Sequence, residues 1–194
     1  IKSKSVIFLR MVKKMNEKIA HINKVDVYDI GNGPGVGVVV WFQGCPHVKI
    51  CGADHCHNPE THDWNLGIEL TDQRIEKIIN ACDKPHITRL TLSGGDPLHP
   101  FNRDGAYKLV KLFRQRFGDT KSVWLWTGYL YEQIEHLPIV DLVDTLIDGP
   151  FNYKLYDPKL QYRGSSNQRV INIVHNPSRA IDITKIQARK PQML

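Results

Sequence analysis

Four apolar segments, each ending in a glycine-rich or polar turn, constrain this chain more than any other feature. "VGVVVWF" (Val36–Phe42) runs into "QGC", "ITRLTL" (Ile87–Leu92) into "SGGDP", "SVWLW" (Ser122–Trp126) into "TGY" and "LVDTLI" (Leu142–Ile147) into "DGPF". Nearly unbroken apolar runs of this length predict strands buried on both faces, as in a parallel sheet. Parallel neighbours need crossover connections, and helical patterns lie between the runs. "LTDQRIEKIINACD" sets Ile75, Ile78, Ile79 and Cys82 on one helical face, with Thr71 placed as N-cap. "GAYKLVKLFRQRF" repeats the pattern with Ala106, Leu109, Val110, Phe113 and Phe117, and "YEQIEHL" gives a third, shorter helix. Strand–helix alternation predicts an α/β barrel or part of one, where ligands gather at the carboxyl ends of the strands. All four special turns fall at that end.

At 194 residues, 41% of them hydrophobic and 24% charged, the chain suits one globular domain with a sizeable core. Much of its net charge of +6 sits near the two ends, on Lys2, Lys4, Arg10, Lys13, Lys14 and Lys18, then on Arg179, Lys185, Arg189 and Lys190. That is the pattern of solvated tails, and no interleaving of aromatic and basic residues marks a nucleic-acid surface. No run reaches the length of a membrane span, and "VIFL" at Val6–Leu9 is too short for a signal-peptide core. The expected address is therefore cytoplasmic, where four cysteines are ligands or buried thiols rather than disulfides.

Three of those cysteines lie in "GCPHVKICGADHCHNPETHDW" (Gly44–Trp64), directly after the first strong strand and among four histidines. Three thiolates suit two kinds of centre. Zinc would want a fourth ligand, for which His47, His55, His57 and His62 are near. An iron–sulfur cluster held by three thiolates would leave one iron open to a small molecule. Cys82, on the apolar face of its helix, reads as a small core residue. In "SGGDPLHP" (Ser93–Pro100) two glycines allow close backbone approach to a ligand, and Asp96 is placed to accept hydrogen bonds from a ligand ammonium group. A plain strand-to-helix turn is the other reading of that segment. "GNGPGVG" (Gly31–Gly37) precedes a strand and carries Pro34, which disfavours a phosphate cradle and predicts a loop covering the site.

Together, "YDIGNGPG", "GCPH…CHNPETHDW", "TLSGGDPLHP", "WLWTGY", "LIDGPF" and "YRGSSNQRV" resemble the activating proteins of anaerobic (class III) ribonucleotide reductases. These are small radical S-adenosylmethionine enzymes, and the motifs follow the family's order over residues 27 to 170. The resemblance implies an incomplete (βα) TIM-type barrel in a single domain, residues 24–173, with an extension at 1–23 and a tail at 174–194. It implies a [4Fe–4S] cluster held by Cys45, Cys51 and Cys56, with S-adenosylmethionine on the fourth iron through its amino and carboxylate groups. His55 and His57 would run beside the cofactor. Ser93, Gly94, Gly95 and Asp96 match the segment that meets the methionine amino group, and Thr127 and Gly128 would line the same cavity. Asn167 and Gln168 would form its far edge.

No general acid or base is implied, so no catalytic dyad is assigned. The reduced cluster would cleave the sulfonium to a 5′-deoxyadenosyl radical, which takes hydrogen from a glycine Cα on the large subunit of the reductase. Electrons would come from a low-potential donor such as flavodoxin, with neither nucleic acid nor membrane as partner. Two other functions fit less of the sequence: an activase for a different glycyl-radical enzyme, and a zinc-stabilised nucleic-acid-binding module. The sequence departs from the family in two places. Five and four residues separate the cysteines where the family has three and two, which makes His47 the alternative to Cys51 as ligand. Gly37 stands where the family often has arginine. Trp41, Trp64, Trp124, Trp126 and Tyr129 are read mainly as core.

Overall fold

The computed structural model describes residues 19–175 and 179–185. Its strands are β1 (His21–Asp29), β2 (Val36–Phe42), β3 (Ile68–Glu69), β4 (Ile87–Gly94), β5 (Ser122–Trp126), β6 (Thr145–Asp148), β7 (Arg169–Val174) and β8 (Arg179–Asp182). They form one sheet in the order β3-β1-β2-β4-β5-β6-β7-β8. The four expected strands are its centre, and β2, β4, β5 and β6 pair in parallel. Antiparallel strands flank them on both sides. The sheet outruns the expected limits of 24–173, since β1 opens at His21 and β8 lies beyond residue 174. The remainder of the extension and tail, residues 1–18, 176–178 and 186–194, lies outside the described residues.

Among the described residues four α-helices accompany the sheet: α1 (Val48–Cys51), α2 (Asp72–Cys82), α3 (Arg103–Phe117) and α4 (Tyr131–Ile134). In α2 the Thr71 hydroxyl accepts from Arg74 N at 3.4 Å, the expected cap, and Ile75, Ile78, Ile79 and Cys82 are buried. In α3 Ala106, Leu109, Val110 and Phe113 are buried, and the helix stops at Gly118, whose φ of +54° favours glycine. The third predicted helix is a single turn. Leu137 precedes Pro138, and a residue before proline is pushed out of the helical region.

Alternate residues of the parallel strands serve different faces. Val38, Val40, Phe42, Leu90, Leu92, Val123, Leu125 and Leu146 point towards the helices and join one continuous aliphatic core. Gly37, Val39 and Trp41 on β2, Arg89, Thr91 and Ser93 on β4, and Trp124 and Trp126 on β5 take the opposite face. There Trp124, Ile147 and Val170 form a second, smaller cluster with Trp126 and Tyr162 against it. The second face carries the cavity.

Candidate metal centre

A cavity of about 970 Å³ opens at the carboxyl ends of β2, β4, β5 and β6. Cys45, Cys51 and Cys56 line it together with Ser93, Gly94 and Gly95. Thr127, Gly128 and His57 are further expected residues on its wall. Cys45 follows β2 through Gly44, which has φ +87° and packs so closely under Trp64 that a Cβ would fall 2.0 Å from the indole. Backbone bonds from Gly44 N to Thr61 O (2.7 Å) and Cys45 N to His62 O (3.3 Å) hold the start of the loop. The long spacers are folded rather than stretched. Val48–Cys51 is one α-helical turn and Ala53–His55 one 3₁₀ turn. A helical residue advances about 1.5–2 Å against about 3.3 Å when extended, so extra residues need not separate the thiols.

All four cysteines are free. Burial pushes the Cys45 thiol up to about 12, and Asp96, Cys51 and Cys56 add to the rise. Burial and then the neighbouring Cys56 raise Cys51 as well. The hindered ionisation of Cys45 and Cys51 is what a cationic iron centre relieves, because coordination removes the protons. The amide of Asn58 donates to Cys56 Sγ at 3.4 Å, a bond of the kind that stabilises a coordinated thiolate. Among the described residues no three His, Cys, Asp or Glu side chains converge as a single metal ion requires. Three thiolates lining one cavity are the donor set of an iron–sulfur cluster with one open iron.

Asp96 differs from its expected role. It is fully buried and does not line the cavity; its carboxylate is occupied by the protein. Oδ1 accepts from Leu98 N at 2.8 Å, Oδ2 from Gly128 N at 3.0 Å, and Thr127 Oγ1 stands 3.0 Å from both oxygens. Oδ2 also lies 2.9 Å from His47 Nε2, and since a carboxylate accepts, the shared proton is on that nitrogen. Asp96 thus ties three loops together instead of facing a ligand ammonium. His47 is held by it and by the edge of Tyr129, 4.7 Å away. Gly128 makes room for the His47 ring, since a Cβ there would lie 2.3 Å from Cδ2. Gly95 crosses Gly44 so tightly that a Cβ would meet its carbonyl oxygen at 2.2 Å. Asp96 N donates to the same oxygen at 2.9 Å.

The two histidines beside Cys56 part company. His57 lines the cavity near Phe151, whereas His55 is exposed and stacks on Tyr153 at 4.1 Å, away from the wall. Gln168 reaches the cavity, but Asn167 does not; its amide donates to Pro150 O at 2.8 Å. The glycine-rich loop, Ile30–Gly35, forms part of the wall, as a covering loop should. Trp41 and Trp126 also line it, with their indole N–H groups tied to Asp26 Oδ2 (2.7 Å) and Tyr162 O (2.8 Å). No residue between Tyr156 and Gly164 was predicted at the site except within the "YRGSS" motif, yet this segment covers one side of the cavity. Its proline, glycine and two tyrosines without periodicity were the available signal.

Residues 31–171 match the family model described as a 4Fe-4S single cluster domain. An anaerobic ribonucleoside-triphosphate reductase-activating protein of Enterobacteria phage T4 is 39% identical over 142 residues, covering 73% of this chain and 87% of that protein. The protein of the same name from Escherichia coli K12 is 40% identical over 146 residues, with 73% and 92% covered. That from Vibrio cholerae is 35% identical over 144 residues, with 72% and 90% covered.

Proposed function

The chain belongs to the family of anaerobic ribonucleoside-triphosphate reductase-activating proteins, and from that premise we propose that it is a radical S-adenosylmethionine enzyme acting on such a reductase. The observation that carries the proposal is the meeting of Cys45, Cys51 and Cys56 with Ser93–Gly95 and Thr127–Gly128 around one cavity. When bound, a reduced [4Fe–4S] cluster would supply one electron to the sulfonium of S-adenosylmethionine, whose carbon–sulfur cleavage would give methionine and, once a hydrogen atom is taken from a glycine Cα of the large subunit, 5′-deoxyadenosine.

The chain's own residues hold and shield. Cys45, Cys51 and Cys56 would give three thiolates and leave one iron for the cofactor's amino and carboxylate groups. Gly94 and Gly95 allow the ligand to approach the backbone, and the Ser93 hydroxyl offers a polar contact. Trp41 and Trp126, with their N–H groups already bonded, turn apolar surface to the cavity and exclude water. Asp96 keeps the three loops in register. The sheet would wrap round this cavity as an incomplete (βα) barrel. The setting we propose is the cytoplasm, with a low-potential electron donor such as flavodoxin.

Anaerobic reconstitution with iron and sulfide tests this directly, followed by electron paramagnetic resonance of the reduced protein. A [4Fe–4S] signal that changes on adding S-adenosylmethionine is expected, as is a glycyl radical when the reductase is present. Stoichiometric zinc with no cluster would instead favour a metal-stabilised binding module. Cys51→Ser should abolish cluster assembly, whereas His47→Ala should retain the iron; the reverse result would exchange their roles.

A further inference from the structure

Asp29, Gly37 and Arg89 form one row across three strands: Asp29 pairs with Gly37 between β1 and β2, and Gly37 with Arg89 between β2 and β4. The Arg89 side chain crosses β2 over Gly37 to reach Asp29. Its Nη2 lies 2.5 Å from Oδ1 and 3.0 Å from the Asp29 carbonyl oxygen. Only glycine permits the crossing, because a Cβ at position 37 would fall 1.7 Å from Nη1 and one at position 33 would fall 2.6 Å from Nε. Asp29 follows an irregularity in β1, where the register shifts between Val27 and Asp29 and Tyr28 takes φ +69°. Such a bulge re-aims the side chain after it.

From this place Asp29 also holds the loop. Its Oδ1 accepts from Asn32 N at 2.8 Å and its Oδ2 from Asn32 Nδ2 at 2.9 Å. Thr91, next to Arg89 on the same face of β4, donates through Oγ1 to Asn32 O at 2.9 Å. The loop so fixed is the Ile30–Gly35 wall of the cavity. Arg89 itself is 0% exposed, and its Nε and Nη1 are buried without a partner. A buried guanidinium with a single carboxylate gains little stability over an apolar residue of similar volume. Its use here calls for a role in placement.

We propose that Arg89 is a positioning residue that, through Asp29 and Asn32, clamps the glycine-rich loop as a wall of the S-adenosylmethionine cavity. The identity of the ligand rests on the proposed function; the clamp does not. The same geometry gives a specific equivalence. An arginine at position 37 would stand on the strand next to Asp29, so the guanidinium can be supplied from either strand if the other position is glycine.

The test uses the full chain with its cluster reconstituted, as wild type, Arg89→Ala and the exchange variant Gly37→Arg/Arg89→Gly. Arg89→Ala should speed amide exchange in residues 30–35 by roughly 10-fold. It should raise the KM for S-adenosylmethionine by roughly 10-fold with kcat within about twofold and iron content unchanged. The exchange variant should return both quantities to within about threefold of wild type, which a merely space-filling role would not achieve. Unchanged exchange at residues 30–35 in Arg89→Ala, or a folded exchange variant as loose as Arg89→Ala, would overturn the clamp. Should either variant not fold, Asp29→Asn reads the same loop: faster exchange supports the clamp and unchanged exchange refutes it. A wild type that binds no cluster or cleaves no S-adenosylmethionine would sink the proposed function, while the exchange rates still decide the clamp.

Discussion

The two faces of the sheet follow opposite rules. Towards the helices, Val38, Val40, Phe42, Leu90 and Leu92 are fully buried among other aliphatic and aromatic side chains. One residue along in each strand, Gly37, Trp41, Arg89, Thr91 and Ser93 combine missing side chains, indoles, a charge and hydroxyls. A strand's twofold period makes this possible, since neighbouring residues need share neither environment nor purpose. The first face stabilises mainly by area; the second places specific groups and accepts buried polarity to do so. Stability and site geometry should therefore respond separately to substitution.

The largest expected effect lies on the helix side. Phe113 is 0% exposed on α3, and Phe113→Ala should cost about 3–5 kcal/mol in urea denaturation. Iron bound per folded chain should stay at the wild-type level. A parallel fall in iron would break the separation of the faces. Next comes Asp96→Asn, which sets an amide NH₂ against donors from Leu98, Thr127, Gly128 and His47. It should cost about 1–3 kcal/mol of stability, with cofactor cleavage reduced far more than that loss implies. If Asp96 instead served only a ligand ammonium, cofactor affinity would fall with stability intact. Trp126→Phe is milder. It removes the 2.8 Å bond to Tyr162 O, for about 1 kcal/mol, and should make the 156–164 segment more sensitive to limited proteolysis.

The same contrast decides what could be read from the sequence. The helix face was legible because its signals are local: unbroken apolar runs gave β2, β4 and β5, and the 3.6 period gave α2 and α3 with their buried residues. The three thiols and the glycine pair were legible through crowding and position after strands. β1, "HINKVDVYD", was not, because its residues are mostly half-buried or exposed and carry no clean pattern. Short β7 and β8 escaped for want of a run. Within "ITRLTL", Arg89 carries no local signal of its role, since its partner Asp29 lies 60 residues away in sequence and the glycine between them is silent. Asp96 was found but given the wrong neighbour. Its four partners come from three separate loops, and only the folded chain brings them together.

Arg169 supplies the smallest test, at the margin between the faces. It joins the buried Asp148 at the end of β6 to Glu132 on α4, with Nη1 and Nη2 at 2.9 and 2.8 Å from the two Glu132 oxygens. Hydrogen bonds from Arg169 hold the Glu132 carboxyl well below its ordinary value, at about 2. A carboxyl depressed in the folded state stabilises fully above its unfolded pKa, and that contribution is lost as pH falls from about 4.5 towards 2. The Glu132 side chain is 60% exposed, so solvent screens the pair and the contribution is small. Glu132→Gln should lower the melting temperature at pH 7 by only roughly 1–2 °C and leave it nearly unchanged at pH 2. Asp148 carries the other side of the same guanidinium with no exposure to water. Asp148→Asn should therefore cost more than Glu132→Gln at neutral pH. Equal losses from the two would mean that burial does not set the strength of these contacts.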